Sequence, residues 1–120
     1  MILLDTCAII WGANGDPLEA LYLSPVSAWE IGLLASRGKL ELPALAEVFI
    51  SQVFARPGVR VAALTPEIAG HASYLPGTLD RDPADRMLAA TALIMGLQLV
   101  TRDHQLLSYG AQGHIRVLAC

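Results

Sequence analysis

Basic charge is scarce in this chain. Lys39 is the one lysine, and eight Lys and Arg against eleven Asp and Glu leave a net charge of −3 over 120 residues. That balance provides no basic tail and no broad footprint for nucleic acid. It weighs against a nucleic-acid substrate unless a bound cation reverses the sign that a phosphate meets. Cysteine is nearly missing: Cys7 and Cys120 make no disulfide framework, so a reducing, cytoplasmic setting is expected. His71 and His114 show no metal-ligand spacing with each other or with either cysteine, which argues against zinc. Long hydrophobic runs are also wanting. The longest, residues 87–100, is broken by Thr91, Gly96 and Gln98 and is too short to span a bilayer. Met1-Ile2-Leu3-Leu4-Asp5 has neither the basic region nor the length of a signal peptide. A soluble protein with no membrane partner is expected, without internal repeats, low-complexity segments or linkers.

What the chain does have is apolar bulk. Hydrophobic residues make up 54% and charged residues 16%, a balance that favours a sheet covered on both faces. The length suits a single domain, residues 1–120, burying about two-thirds of its unfolded surface. Ile2-Leu3-Leu4 reads as a central parallel strand. A short helix through Trp11 follows, broken by Asn14-Gly15-Asp16-Pro17, and Leu21-Tyr22-Leu23 is a second strand. A helix opens at Ser27-Ala28-Trp29-Glu30 and runs to Gly38; another, over residues 43–55, puts Leu45, Val48, Phe49 and Val53 on one face. Residues 59–64 form a third strand. Thr65-Pro66-Glu67 starts a helix ending near Pro76-Gly77, and residues 115–118 form a last strand. Strand and helix alternate, which predicts a parallel sheet between two layers of helices.

The stretch from Asp80 to Asp103 carries the chemistry. Asp82 is suited to cap a helix whose first position is Pro83, placing Asp85 in its first turn, and Gly96 stops that helix. Leu99-Val100-Thr101 is then a strand, and Asp103 lies just past its carboxyl end, where open α/β sheets bind ligands. Asp5 ends the first strand and Glu30 opens a helix. Four carboxylates in one crevice resist ionising together unless a cation offsets them, and Mg²⁺ (or Mn²⁺) is the cation expected.

Four blocks, Leu3-Leu4-Asp5-Thr6, Ser27-Ala28-Trp29-Glu30-Ile31, the run from Arg81 to Ala90, and Leu99-Val100-Thr101-Arg102-Asp103, resemble the PIN domain family in its branch of VapC-type ribonuclease toxins. They fall in the family's order and span nearly the whole chain. The resemblance implies a three-layer α/β/α fold with a five-stranded parallel sheet in the order 3-2-1-4-5. It also implies a divalent-metal-dependent endoribonuclease, usually a homodimer, held in check by a cognate antitoxin protein. Carried over, the catalytic and metal-site acids are Asp5, Glu30, Asp85 and Asp103, with Asp82 an accessory acid and Thr101 a hydroxyl that holds a carboxylate or a water. Two departures stand out. Only 24 residues separate Asp5 from Glu30, a shortened first crossover, and Cys7 stands where relatives often have His or Asn.

Each residue also has a plainer reading. Ser27 and Glu30 have capping-box spacing; Asp85 suits a helix dipole; Asp82 is foremost an N-cap. Arg86 and Arg102 contact phosphates, pair with the carboxylates or are solvated; His104 touches RNA or is a surface loop histidine. Cys7 is read as a small buried residue, and Trp11 and Trp29 as core or interface rather than base-stacking platforms. The expected reaction is in-line attack of a metal-activated water on an RNA phosphodiester; the alternative is a catalytically inactive PIN-like binding module. A phosphoacceptor receiver domain would need an aspartate after the third strand and a late lysine, and residues 59–64 lead only into Thr65-Pro66. A haloacid-dehalogenase-like phosphatase would need an aspartate where Cys7 stands.

Overall fold

The structure, a computed structural model, describes residues 1–10 and 21–120. Trp11 and the break expected at residues 14–17 lie outside the described residues. The elements run β1 (Ile2–Leu4), α1 (Thr6–Ile10), β2 (Leu21–Leu23), α2 (Pro25–Ser36), α3 (Ala46–Phe54), β3 (Val59–Val61), α4 (Pro66–His71) continuing into a 3-10 turn (Ala72–Tyr74), α5 (Pro83–Met95), β4 (Gln98–Thr101), α6 (His104–Ala111) and β5 (Arg116–Ala119). All strand pairings are parallel and the sheet order is β3-β2-β1-β4-β5, as expected.

The central strand shows why the fold has three layers. Successive side chains of a strand point to opposite faces. Leu3, paired in register with Tyr22 and Leu99, belongs to a core built with Ile68 of α4, Leu88 of α5, and Leu106 and Tyr109 of α6. Ile2 and Leu4 point the other way and pack with Ala8 of α1 and Val53 of α3. Both faces are therefore covered, and the uninterrupted apolar runs are explained.

Helix boundaries correct several expectations. α2 starts at Pro25, not at Ser27: Ser24 is its cap, its hydroxyl accepting from the Val26 amide at 3.0 Å, with Pro25 at the first helical position. α3 begins at Ala46 with no side-chain cap at Leu45, and β3 ends at Val61. α5 keeps its expected ends: Asp82 caps it, and Gly96 closes it in the left-handed conformation at φ +66°. α6 was not anticipated. Its close approach to β5 depends on Gly110, where a Cβ would come within 2.1 Å of Val117 Cγ2.

The order reverses between β1 and β4: the chain leaves β1 towards β2 and leaves β4 towards β5. The crevice beyond their carboxyl ends is the topological switch point, and Asp5 and Asp103 follow those two strands.

Candidate functional site

Asp5 is buried directly after β1, its amide donating to the Val100 carbonyl at 3.0 Å. Its Oδ1 accepts from the Ala8 amide at 2.8 Å, which caps α1, and its Oδ2 accepts from the Thr101 hydroxyl. The same Thr101 oxygen accepts from the Asp103 amide at 3.0 Å. One fully buried hydroxyl thus ties the first acid to the last, 98 residues apart. Asp103 in turn caps α6, its Oδ1 accepting from the amides of Gln105 (2.8 Å) and Leu106 (3.1 Å).

Glu30 lies in the second turn of α2, and its Oε1 accepts from the Thr6 hydroxyl at 2.5 Å. The capping-box reading of Glu30 fails, because Ser27 is inside the helix, fully buried, with no partner for its hydroxyl. Asp82 Oδ1 accepts from the Asp85 amide at 3.1 Å, so Asp82 is the N-cap expected of it. Asp85 stands half-buried in the first turn of α5.

These acids sense one another. Burial first, then the charge of Asp103, lifts the proton affinity of Asp5, against the opposing pull of its bond from Thr101. Glu30 is raised by burial, eased by the Thr6 bond, and raised again by Asp82, Asp5 and Asp103. Asp85 is pushed up to about 8 by burial and then by Asp103, Asp82, Asp80 and Glu30. Asp103 is the neighbour common to all three.

Two participants were not singled out from sequence. Thr6 directly follows Asp5, and its place in the first motif block was the available signal. Asp80 is also raised, by burial and by Asp82 and Asp103. Its Oδ1 is buried without a donor, and it makes a hydrogen bond with Asp85 only when one of the two carboxyls keeps its proton. Nothing in the run Asp80-Arg81-Asp82 distinguishes it from a turn former.

Three expectations need correction. Arg86 is not a solvated surface group: it is half-buried, its Nε donates to the Ala72 carbonyl at 2.7 Å, and its Nη1 donates to the Leu79 and Asp80 carbonyls at 3.2 and 3.3 Å. It ties down the loop that carries Asp80. Cys7 is exposed rather than buried; partial desolvation on the side of the thiol that faces the protein, then the charges of Asp5, Glu30, Asp103 and Asp85, raises its proton affinity. Trp29 is 59% exposed, which removes the core half of the expectation and leaves the interface half standing. Arg102 and His104 are exposed next to Asp103.

The donor set fits a hard divalent cation. It is all carboxylate oxygen, and Asp5, Glu30 and Asp85 each hold a proton more tightly than usual through burial and then through the charge of their acidic neighbours. Among the described residues, no group of three or more His, Cys, Asp or Glu side chains is drawn up closely enough to hold an ion by itself. An open set of this kind suits Mg²⁺, which keeps several waters and takes few protein ligands.

The Thr101 clamp gives a direct test. Thr101→Val keeps the shape but strands the Asp103 amide and an Asp5 oxygen. It is expected to cost about 1–3 kcal/mol in a urea melt. Unchanged stability would mean the hydroxyl is not the link between the two acids.

Residues 2–111 match the PIN domain family. The chain is 33% identical over 91 residues to Ribonuclease VapC22 of Mycobacterium tuberculosis, covering 76% of this chain and 68% of that protein. Among solved structures, its fold is similar to VapBC2 from Rickettsia felis bound to a promoter DNA fragment (TM-score 0.69, 12% identity, 99% of this chain and 98% of that one). It is also similar to FitAcB from Neisseria gonorrhoeae (TM-score 0.67, 23% identity, 98% and 96%).

Proposed function

The chain belongs to the PIN domain family, and on that premise we propose that it is a divalent-metal-dependent endoribonuclease, the toxin of a toxin–antitoxin pair. The observation that carries this reading is the acidic crevice at the β1/β4 switch point, where Asp5, Glu30 and Asp85 each feel the charge of Asp103. Those four residues would hold Mg²⁺ or Mn²⁺. The cation, when bound, screens the phosphate and lowers the pKa of a coordinated water.

The chain's own groups prepare the site. Thr101 fixes Asp5 against Asp103, and Thr6 fixes Glu30. Asp85, pushed up to about 8 by burial and then by its acidic neighbours, would give up its proton on holding the cation. Arg102 and His104, exposed where α6 begins, meet the RNA backbone. The products are a 5′-phosphate and a 3′-hydroxyl. The toxin acts in the cytoplasm as a homodimer and is neutralised by its cognate antitoxin; kinship with a ribonuclease and a fold similar to that of a toxin–antitoxin complex from Klebsiella pneumoniae support the ribonuclease and antitoxin parts of this reading. Among the described residues no helix is long and apolar enough to cross a membrane.

A PIN-like module used only for binding is the second reading. It leaves the crowded acids unexplained, since uncompensated buried carboxylates weaken a fold without improving a docking surface. Metal titration separates the two. At a hundredfold excess over its dissociation constant, Mn²⁺ should stabilise the protein by about 2.7 kcal/mol, on the order of 10 °C in melting temperature, and EDTA should stop cleavage of total RNA. No shift with Mn²⁺, together with cleavage indifferent to EDTA, defeats the enzymatic reading.

A further inference from the structure

Beside the acidic crevice lies an apolar pocket of about 290 Å³ that the four acids leave unused. Pro25, Val26 and Trp29 of α2 form one wall, Pro83 and Ala84 of α5 the other, and Leu64 beyond β3 closes the end. Both walls belong to the helical turns that carry the acids. Val26, Trp29 and Glu30 share one face of α2 at the spacing i, i+3, i+4. Pro83 follows Asp82, and Ala84 precedes Asp85. Glu30 follows Trp29 in α2 and Asp85 follows Ala84 in α5, so the pocket opens beside the acids. Trp29 stands 59% exposed and Leu64 37%, an arrangement that leaves a large flat apolar surface in water.

We propose that this pocket receives one unstacked base of the RNA, next to the phosphate being cut, with Trp29 as its stacking platform. The proposal rests on the ribonuclease reading. An occupant must offer apolar faces to the walls and polar groups only at the rim, and a nucleobase has that form. It is also tethered to a phosphate one bond sequence away, where the crevice would hold it. Trp29 is the residue that holds the base under this assignment.

The test uses the full chain and short single-stranded oligoribonucleotides of A, C or U. Binding is read by fluorescence polarisation in the Asp103→Asn background, and cleavage in the otherwise unaltered protein. Trp29→Ala should weaken binding of each oligomer about tenfold or more, and Trp29→Phe should restore most of it. An abasic residue beside the cut should slow the unaltered protein by a similar factor, and Trp29→Ala should then add nothing. Metal-dependent cleavage and binding both indifferent to Trp29→Ala overturn the base pocket and leave the nuclease reading standing. Trp29-dependent binding without any cleavage does the reverse. A change confined to oligomeric state, seen by sedimentation, assigns the pocket to a second copy and removes the base.

Discussion

Replacing Asp103 by asparagine will abolish metal-dependent RNA cleavage, by about a hundredfold or more, without loss of fold. Asp103 has two separable jobs. Its Oδ1 caps α6 by accepting from the Gln105 and Leu106 amides, and asparagine caps as well as aspartate. Its backbone amide, which donates to Thr101, does not depend on the side chain. Only the charge is removed, and that charge is the one Asp5, Glu30 and Asp85 all sense. Circular dichroism and a thermal melt should match the unaltered protein or exceed it. A variant that cuts RNA at the normal rate removes Asp103 from the site. One that unfolds shows the carboxylate's charge to be structural.

Asp85→Asn should stabilise the metal-free protein at alkaline pH and leave it unchanged at acidic pH. The carboxyl titrates near 3.8 when the chain is unfolded and at about 8 when folded, raised by burial and then by Asp103, Asp82, Asp80 and Glu30. Between those values the folded state holds more protons than the unfolded state, so stability falls as pH rises through the window. The full interval corresponds to about 5–6 kcal/mol. Solvent reaches this half-buried group and screens much of that, leaving about 2 kcal/mol at pH 8. Melts in EDTA at pH 4 and pH 8 read the effect directly. Mn²⁺ should reverse the order at pH 8, stabilising the unaltered protein more than the variant. A variant that melts at or below the unaltered protein at both pH values, without metal, contradicts the crowding of charge at this site.

Local chemistry was readable wherever a feature depends on a few adjacent residues. Ile2-Leu3-Leu4 and Leu21-Tyr22-Leu23 form strands at those positions because unbroken apolar runs need cover on both faces. Asp82-Pro83 and Gly96 delimit α5 because capping and the left-handed turn are settled within one helical turn. The sheet order was not readable from periodicity; it came with the motif resemblance, and the pairings agree with it. Ser27 misled because its spacing to Glu30 satisfies a capping rule, while Ser24-Pro25 satisfies a stronger one three residues earlier. α6 escaped notice because an eight-residue helix containing a glycine has too few turns to show a period.

By itself, then, the sequence determined the alternation of strands and helices and supplied acids at the ends of the right elements, since backbone preference and burial pattern act over short range. Tertiary structure alone decided which groups meet: Thr101 with both Asp5 and Asp103, Thr6 with Glu30, Arg86 with the loop before α5, and Trp29 with open water. Those outcomes follow from side-chain directions fixed by packing between elements far apart in the chain, and no spacing rule along the chain encodes them.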